Sequence, residues 1–157
     1  MPTQITIESV ILSPPRTVWA AVRRTDTLAA VARPLLVFRP APGQTLPEQW
    51  PVGVPVQMRL WAFGAVPLGP HTLFVESADD EAMTVQTREL SPLLRRWDHR
   101  ITVAPSGPEH ALYADEVEID AGMFTPVVAA VARLFFRHRH RRWQALARRL
   151  TSDGRSS

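Results

Sequence analysis

Residues 125–150 constrain the fold more than any other part of the chain, because they predict one long amphipathic helix. The segment reads TPVVAAVARLFFRHRHRRWQALARRL, about seven helical turns, with Thr125 as the N-cap and Gly154 beyond the end. On a helical wheel one face is apolar and comprises Val127, Val128, Val131, Leu134, Phe135, Ala145 and Leu146. Such a stripe needs a second layer to cover it, and the preceding residues must supply that layer.

The same segment carries a dense basic run. Five arginines lie from Arg137 to Arg148, and no acidic residue stands between Asp120 and Asp153. The side of the wheel opposite the apolar stripe comprises Arg133, Arg137, His140, Arg141, Gln144 and Arg148. This arrangement predicts a solvated face. All 18 basic residues are arginine and the net charge is only +3, so we expect no nucleic-acid partner. An interaction module that uses this Arg-rich helix is an alternative.

The covering layer is predicted to be an antiparallel sheet. Alternating apolar residues mark residues 4–13 as a first strand, and short runs between turn-rich stretches mark further strands at residues 54–63, 71–77, 82–90, 95–103 and 111–119. Two short helices are expected at residues 13–24 and 25–33, the second ending before a proline. Residues 40–55 contain five prolines and are expected to be a loop. This order of elements predicts an α+β fold.

Length and composition predict a single domain over residues 1–157, ordered from about 4 to 150, with a frayed tail at 151–157. The chain is 45% apolar and 21% charged, and its length can bury a core. Because there is no cysteine, disulfides, thiolate metal sites and a cysteine nucleophile are excluded. The N-terminus lacks a signal-peptide pattern and no stretch approaches about 18 consecutive apolar residues, so we expect a cytoplasmic protein without stable membrane insertion.

The order of elements and several short motifs resemble the helix-grip fold of the START-like (SRPBCC, polyketide cyclase-like) superfamily. The resemblance covers about residues 4–150 and rests on SPPRTVWAAV after the first strand, PLGPHTLFV, RRWDHRITV, YADEVEIDAG and FFRHRHRRW. These motifs look like those of one bacterial branch. The resemblance implies a curved sheet around the long helix, with an apolar ligand cavity between them. It does not imply one reaction, since members include lipid carriers, aromatase/cyclases, stress-regulated binders and co-chaperones.

Two polar residues interrupt otherwise apolar strand faces. His99 lies on the apolar face of one predicted strand and Asp115 on that of the next. With Ile101 placed opposite Tyr113 across the turn between these strands, His99 falls opposite Asp115. The pair has two interpretations. Either Asp115 orients His99 as an acid/base, or the pair belongs to a polar network that sets strand register, since no serine or cysteine nucleophile is placed beside it.

Polar residues of the helix extend this prediction. His138 and Arg142 lie within about 20° of the centre of the apolar stripe. We expect them to approach the His–Asp pair, because a buried guanidinium needs an acceptor. His138 and His140 point to opposite sides of the helix and cannot chelate one ion. The sequence also lacks HExxH, a Gly-rich phosphate loop and GxSxG, so it predicts no metal site and no cofactor.

The resulting hypothesis is a domain that binds a hydrophobic small molecule, lipid or polyketide-like, between the sheet and the C-terminal helix, for carriage or sensing. The predicted ligand-binding residues are Met58, Leu60, Val75, Val85, His99, Ile101, Tyr113, Asp115, Val117, Val131, Leu134, Phe135, His138 and Arg142. The alternative is an aromatase/cyclase-like enzyme in which His99 and Asp115 transfer protons. Residues 56–63 are apolar on both faces, which leaves their facing open and suggests a homodimer contact.

Overall fold

Seven antiparallel strands form one curved sheet around the C-terminal helix. A computed structural model describes residues 2–154. In chain order the elements are β1 (Thr3–Ile11), α1 (Pro15–Val22), α2 (Thr25–Ala32), β2 (Leu36–Pro40), β3 (Pro55–Ala62), β4 (Val66–Asp79), β5 (Thr84–Leu90), β6 (Arg96–Pro105), β7 (Ala111–Asp120), a 3₁₀ turn (Gly122–Phe124) and α3 (Thr125–Gly154). The strand order is β1-β7-β6-β5-β4-β3-β2, so the first strand pairs with the last.

The predicted α+β class and helix-grip architecture are confirmed, with three differences in the elements. The edge strand β2 was not predicted, because five residues ending in proline carry little alternation. Strand β4 begins five residues before the predicted start at His71. Helix α3 continues to Gly154, so residues 151–154 are helical rather than part of a frayed tail. Residues 155–157 lie outside the described residues.

Helix α3 turns a different face to the sheet from the one predicted. Its buried residues are Thr125, Ala129, Ala132, Phe136, Arg139, His140, Trp143 and Ala147, whereas Val131 and Leu134 are 61% and 65% exposed. The wheel assignment is therefore wrong. It follows the large aliphatic side chains, but the true inner face combines small alanines, two aromatic rings and a polar pair. Alanines let a helix approach its neighbour closely, and the polar pair forms hydrogen bonds with Tyr113 and Asp115 of the sheet.

His138 and Arg142 attach α3 to α2 instead of entering the interior. His138 Nε2 lies 2.7 Å from the carbonyl oxygen of Arg33, and Arg142 Nη2 donates to the carbonyl oxygen of Ala30 at 3.1 Å. These carbonyls lie at the C-terminal end of α2, where the helix leaves its last acceptors without internal partners. The prediction that both side chains approach the His–Asp pair is therefore wrong, and their role is to cap and dock α2.

The facing of β3 is settled by burial. Val56 and Met58 are buried under the helices, so the even-numbered residues face inward and Leu60 lies half-buried at the end of this row. On the outer face the guanidinium of Arg39 stacks 4.5 Å above the Trp61 ring. The homodimer contact suggested for this strand stays a prediction.

No helix within residues 2–154 is long and apolar enough to cross a bilayer.

Candidate functional site

His99 and Asp115 form a buried pair between neighbouring strands. His99 Nε2 lies 2.6 Å from Asp115 Oδ1, and the two residues are 4% and 1% exposed. Because an ionised carboxylate can only accept hydrogen bonds, His99 Nε2 carries the proton of this bond. The imidazole is thus fixed in orientation by Asp115, as the sequence predicts.

The strand register from which this pair was predicted is wrong by two residues. Asp115 lies opposite Ile101, and His99 lies opposite Val117. The pairing centres the connection between β6 and β7 on Pro108, one residue later than the predicted register requires. The contact forms anyway, because diagonal neighbours on one face of a sheet remain within reach of long side chains.

Asp115 receives donors from helix α3 as well as from the sheet. Its second oxygen, Oδ2, accepts from His140 Nε2 at 2.9 Å. The Tyr113 hydroxyl donates to Oδ1 at 3.2 Å, and Arg139 Nη2 donates to that hydroxyl at 3.2 Å. The guanidinium of Arg139 also lies 3.9 Å from Oδ1. The carboxylate therefore joins α3 to the sheet through four side chains.

A second carboxylate, Glu89 on β5, lies on the other side of His99. Glu89 Oε1 is 3.7 Å from His99 Nδ1, and Glu89 Oε2 bonds His71 Nε2 at 3.0 Å. The Thr87 hydroxyl donates to Oε1 at 3.4 Å. His99 is thus held between two carboxylates, with one ring nitrogen facing each of them.

These contacts form a continuous row of polar side chains through the interior. His140 Nδ1 lies 2.6 Å from Ser9 Oγ on β1. We call this row the polar chain, and in spatial order its members are Ser9, His140, Asp115, His99, Glu89 and His71. It crosses from the half-buried edge strand β1 to β4, the fifth strand of the sheet, and such a buried network stabilises the fold only when every member has a partner.

The two carboxylates of the polar chain are held ionised. Burial by itself would raise the pKa of Asp115, but the charge of Arg139 and hydrogen bonds from His140 and His99 hold that pKa well below its usual range. Burial acts on Glu89 in the same direction, and hydrogen bonds from two imidazoles likewise keep the pKa of Glu89 well below normal. Opposite charge and hydrogen bonding outweigh desolvation at both positions.

The pKa of the His99 imidazole is correspondingly raised. Burial would lower the pKa of His99, whereas its contacts with Asp115 and then with Glu89 raise it above the ordinary value. The charge of Arg139 opposes this effect only in part. The raised pKa favours His99 as a hydrogen-bond donor and acid over His99 as a free base.

A small pocket adjoins the polar chain, between the sheet and the helices. Its volume is about 50 Å³. One side is apolar and comprises Val22, Leu28, Val31, Trp50, Leu73, Val75, Val85, Ile101 and Trp143. The other side is polar and comprises Arg23, Thr27, Thr87, Glu89, His99, Tyr113 and Arg139. The combination of an apolar wall with convergent polar groups is typical of a small-molecule site.

The predicted ligand-binding residues fall into three groups. Those that line the pocket are Val75, Val85, His99, Ile101 and Tyr113. Asp115 bonds to two of these, while Met58 and Val117 are buried in the core and Leu60 and Phe135 are half-buried. The placement of Val131, Leu134, His138 and Arg142 at the cavity is wrong, because the first two are exposed and the others bind carbonyls of α2.

Several pocket residues escaped the sequence prediction. Glu89 follows Val85 and Thr87 at the strand period of two, so its inward position could have been read from alternation. Arg139 lies three residues after Phe136 on the buried face of α3, and correct choice of that face would have found it. Trp50 comes from the proline-rich loop, where no periodic pattern indicates burial.

Within residues 2–154 no three acidic or imidazole side chains are arranged to hold a metal ion.

Comparison with known proteins places this chain in a family. A family model described as a domain of unknown function (DUF8410) matches residues 9–149, nearly the whole described chain. The chain belongs to the DUF8410 family. No curated protein matches the sequence.

Solved structures establish the fold of this DUF8410 protein. The Zhui aromatase/cyclase from Streptomyces sp. R1128 superposes with a TM-score of 0.73 at 11% identity, covering 95% of each chain. A START superfamily protein from Mycobacterium smegmatis gives 0.69 at 14% identity, covering 94% of this chain and 98% of the other. Truncated norcoclaurine synthase from Thalictrum flavum gives 0.67 at 12%, covering 93% of each. The DUF8410 protein has the START-like fold.

Proposed function

We propose that this DUF8410 protein binds a small, largely apolar molecule in the pocket between the sheet, α2 and α3. The observation that carries the proposal is the pocket's division into an apolar wall and a wall of linked polar side chains. An apolar wall contributes affinity through buried area, while a few fixed polar groups orient a ligand. Structural neighbours that include an aromatase/cyclase and a START superfamily protein support this function.

The size of the pocket limits the ligand that can enter without rearrangement. A volume of about 50 Å³ holds a few water molecules, since a cavity needs roughly 10–15 Å³ to hold one. Lipid or polyketide-like ligands therefore require the pocket to widen. The wall formed by Leu28 and Val31 of α2 is the side that moves in this proposal, because α2 is short and rests on α3 through polar contacts.

Ligand binding can be tested with purified protein and a panel of apolar compounds. We expect native mass spectrometry to detect a copurified ligand, or a panel member to raise the melting temperature, because a ligand that binds the folded state stabilises it. Val85→Phe, which fills the pocket, should abolish the effect. Leu134→Phe, on the exposed face of α3, is the matched control. A ligand response that survives Val85→Phe unchanged would place the binding site elsewhere.

A second candidate function is proton-transfer catalysis of the aromatase/cyclase kind. The specific observation in its favour is that His99, whose pKa is raised, lines the pocket between two carboxylates. Its imidazolium form would donate a proton to a substrate carbonyl oxygen while a water molecule removes the proton from the adjacent carbon, which gives the enol. Turnover of a linear polyketide would support this candidate, with His99→Gln losing turnover but keeping ligand binding. If His99→Gln turned over substrate as fast as the wild type, the candidate would be rejected.

A further inference from the structure

Every oxygen of Glu89 and Asp115, the two carboxylates at the pocket's polar wall, already faces a donor. Asp115 Oδ1 accepts from His99 and from Tyr113, and Oδ2 accepts from His140. Glu89 is engaged in the same way, with one oxygen on an imidazole and the other facing a hydroxyl and a second imidazole. A ligand that approaches this wall therefore meets no free carboxylate oxygen.

Unused donors, in contrast, remain on two arginines that line the same pocket. Arg139 is 4% exposed, and its Nε–H has no acceptor among the described residues. Arg23, directly after α1, has a buried Nη1 that likewise lacks an acceptor within residues 2–154. Arg23 also forms no ion pair with any described carboxylate. Buried donors without partners are rare in folded proteins, and they mark positions where an acceptor binds.

The charges around the pocket also favour a negatively charged ligand. Arg139 lies 3.9 Å from Asp115 Oδ1, whereas Arg23, on the same pocket wall, has no carboxylate partner among the described residues. One positive charge is left unmatched beside an apolar wall. A buried charge is costly unless it is paired, so the natural complement is a ligand with a single negative charge and an apolar body.

Resting on the proposed binding function, we infer that the pocket's ligand is a small monocarboxylic acid whose carboxylate is bound by Arg139 and Arg23. Guanidinium and carboxylate match in geometry, and their charge-assisted hydrogen bonds are stronger than neutral ones. The aromatic and aliphatic side chains opposite, among them Trp50, Val75 and Val85, receive the hydrocarbon part. The small volume favours a short or aromatic acid over a long-chain fatty acid.

Matched ligand pairs test this inference without depending on the stability of a variant. Benzoate and benzamide have nearly the same shape, as have hexanoate and hexanamide, but only the acids carry charge at pH 7. We expect each acid to bind the wild-type protein at least about tenfold more tightly than its amide, because one charge-assisted hydrogen bond contributes that much or more. Calorimetric titration measures both affinities.

Variants then assign the effect to the arginines. Arg23→Gln should reduce acid affinity about tenfold and leave amide affinity unchanged, whereas Arg141→Gln removes the same charge from the exposed face of α3 and should change neither. Equal affinities for acid and amide in the wild type would overturn the inference while leaving apolar binding intact. Equal losses in Arg23→Gln and Arg141→Gln would also overturn it. Absence of any binding, here and in the wider panel, would reject the proposed function itself.

Discussion

The buried polar interactions of this protein are concentrated at Asp115. The carboxylate is 1% exposed and is reached by side chains of β6, β7 and α3. An ionised group at that depth is tolerated only because His99, His140 and Arg139 surround it with donors and positive charge. Its removal would leave His99 Nε2 and His140 Nε2 without their acceptor and the guanidinium of Arg139 without its nearby opposite charge.

We expect Asp115→Ala to lower the free energy of unfolding by about 3–5 kcal/mol, the usual cost of breaking a buried ion pair from one side. Urea denaturation measures the change. Asp98→Ala is the matched control, because Asp98 lies on the same sheet but contacts only the exposed arginines Arg88 and Arg96, and surface pairs contribute about 0–1 kcal/mol. Similar losses in the two variants would contradict the burial of the Asp115 charge.

The pH dependence of stability follows from the same residues. Asp115 and Glu89 have lowered pKa values, so their contribution is present above their ordinary pKa values of 3.8 and 4.5 and is lost as the pH falls. His99 has a raised pKa, so its contribution is present below 6.5 and is lost as the pH rises through the higher folded value. Stability should therefore be highest between about pH 4.5 and 6.5.

The His99 part of this prediction can be isolated with one variant. Urea denaturation from pH 5 to about 9 should show the wild type losing stability above pH 6.5 relative to His99→Gln, which has no proton to release at that position. Parallel curves for the two proteins over this range would mean that folding leaves the pKa of His99 unchanged.

At the scale of elements, the inner face of α3 determines how the helix packs against the sheet. Its inner face presents Phe136 to Trp97 and His99, with ring centroids 6.1 and 5.2 Å apart. Its outer face leaves Val131 and Leu134 in solvent. The helix is therefore held by aromatic packing and by the polar chain, and not by its most obvious aliphatic stripe.

Alanine substitutions at Phe136 and at Leu134 of α3 should therefore have very different effects on stability. Phe136→Ala should cost about 3–5 kcal/mol, because the ring is 1% exposed and leaves a cavity. Leu134→Ala should change stability by no more than about 0.5 kcal/mol, because that side chain is 65% exposed. Thermal and urea denaturation of both variants measure these changes. A large loss of stability in Leu134→Ala would show that Leu134 is buried, as the helical wheel predicts.

Most of the elements, but fewer of their contacts, could be predicted from the sequence. Alternation and turn residues identify six of the seven strands, because period two is a local property. The inner face of α3 could not be found in this way, since alanines and the Arg139–His140 pair are buried for reasons that lie on the sheet. The His99–Asp115 pair was found despite a wrong register, because both residues interrupt apolar faces. The roles of Glu89 and Arg139 depend on contacts with side chains that are distant in the sequence.

At the scale of the whole molecule, helix α3 presents a cluster of exposed arginines. The exposed arginines Arg133, Arg137 and Arg141 lie on the outer face of α3, while the strands carry acidic residues and the net charge is +3. Use of this face as an interaction surface remains the third hypothesis. A nucleic-acid surface draws cations and stacking aromatics from several elements, and these arginines come from one helix.

We therefore expect nucleic-acid binding to be weak and nonspecific. In a fluorescence titration of labelled DNA or RNA, affinity at physiological salt should not exceed the range of nonspecific binding, with Kd of about 10⁻⁴ to 10⁻⁶ M. Tight binding that falls steeply with salt, and that Arg133→Gln, Arg137→Gln and Arg141→Gln together remove, would instead establish the interaction-module hypothesis.

The polar chain also has a consequence for how this family can change over evolutionary time. Each member depends on the next for its partner, so a single replacement leaves a buried group unsatisfied, whereas a coordinated set of replacements does not. Among DUF8410 sequences the positions of His71, Glu89, His99, Asp115 and His140 should accordingly be inherited as a block. Sequences that have lost Asp115 should have lost the histidines with it and carry apolar residues in their place.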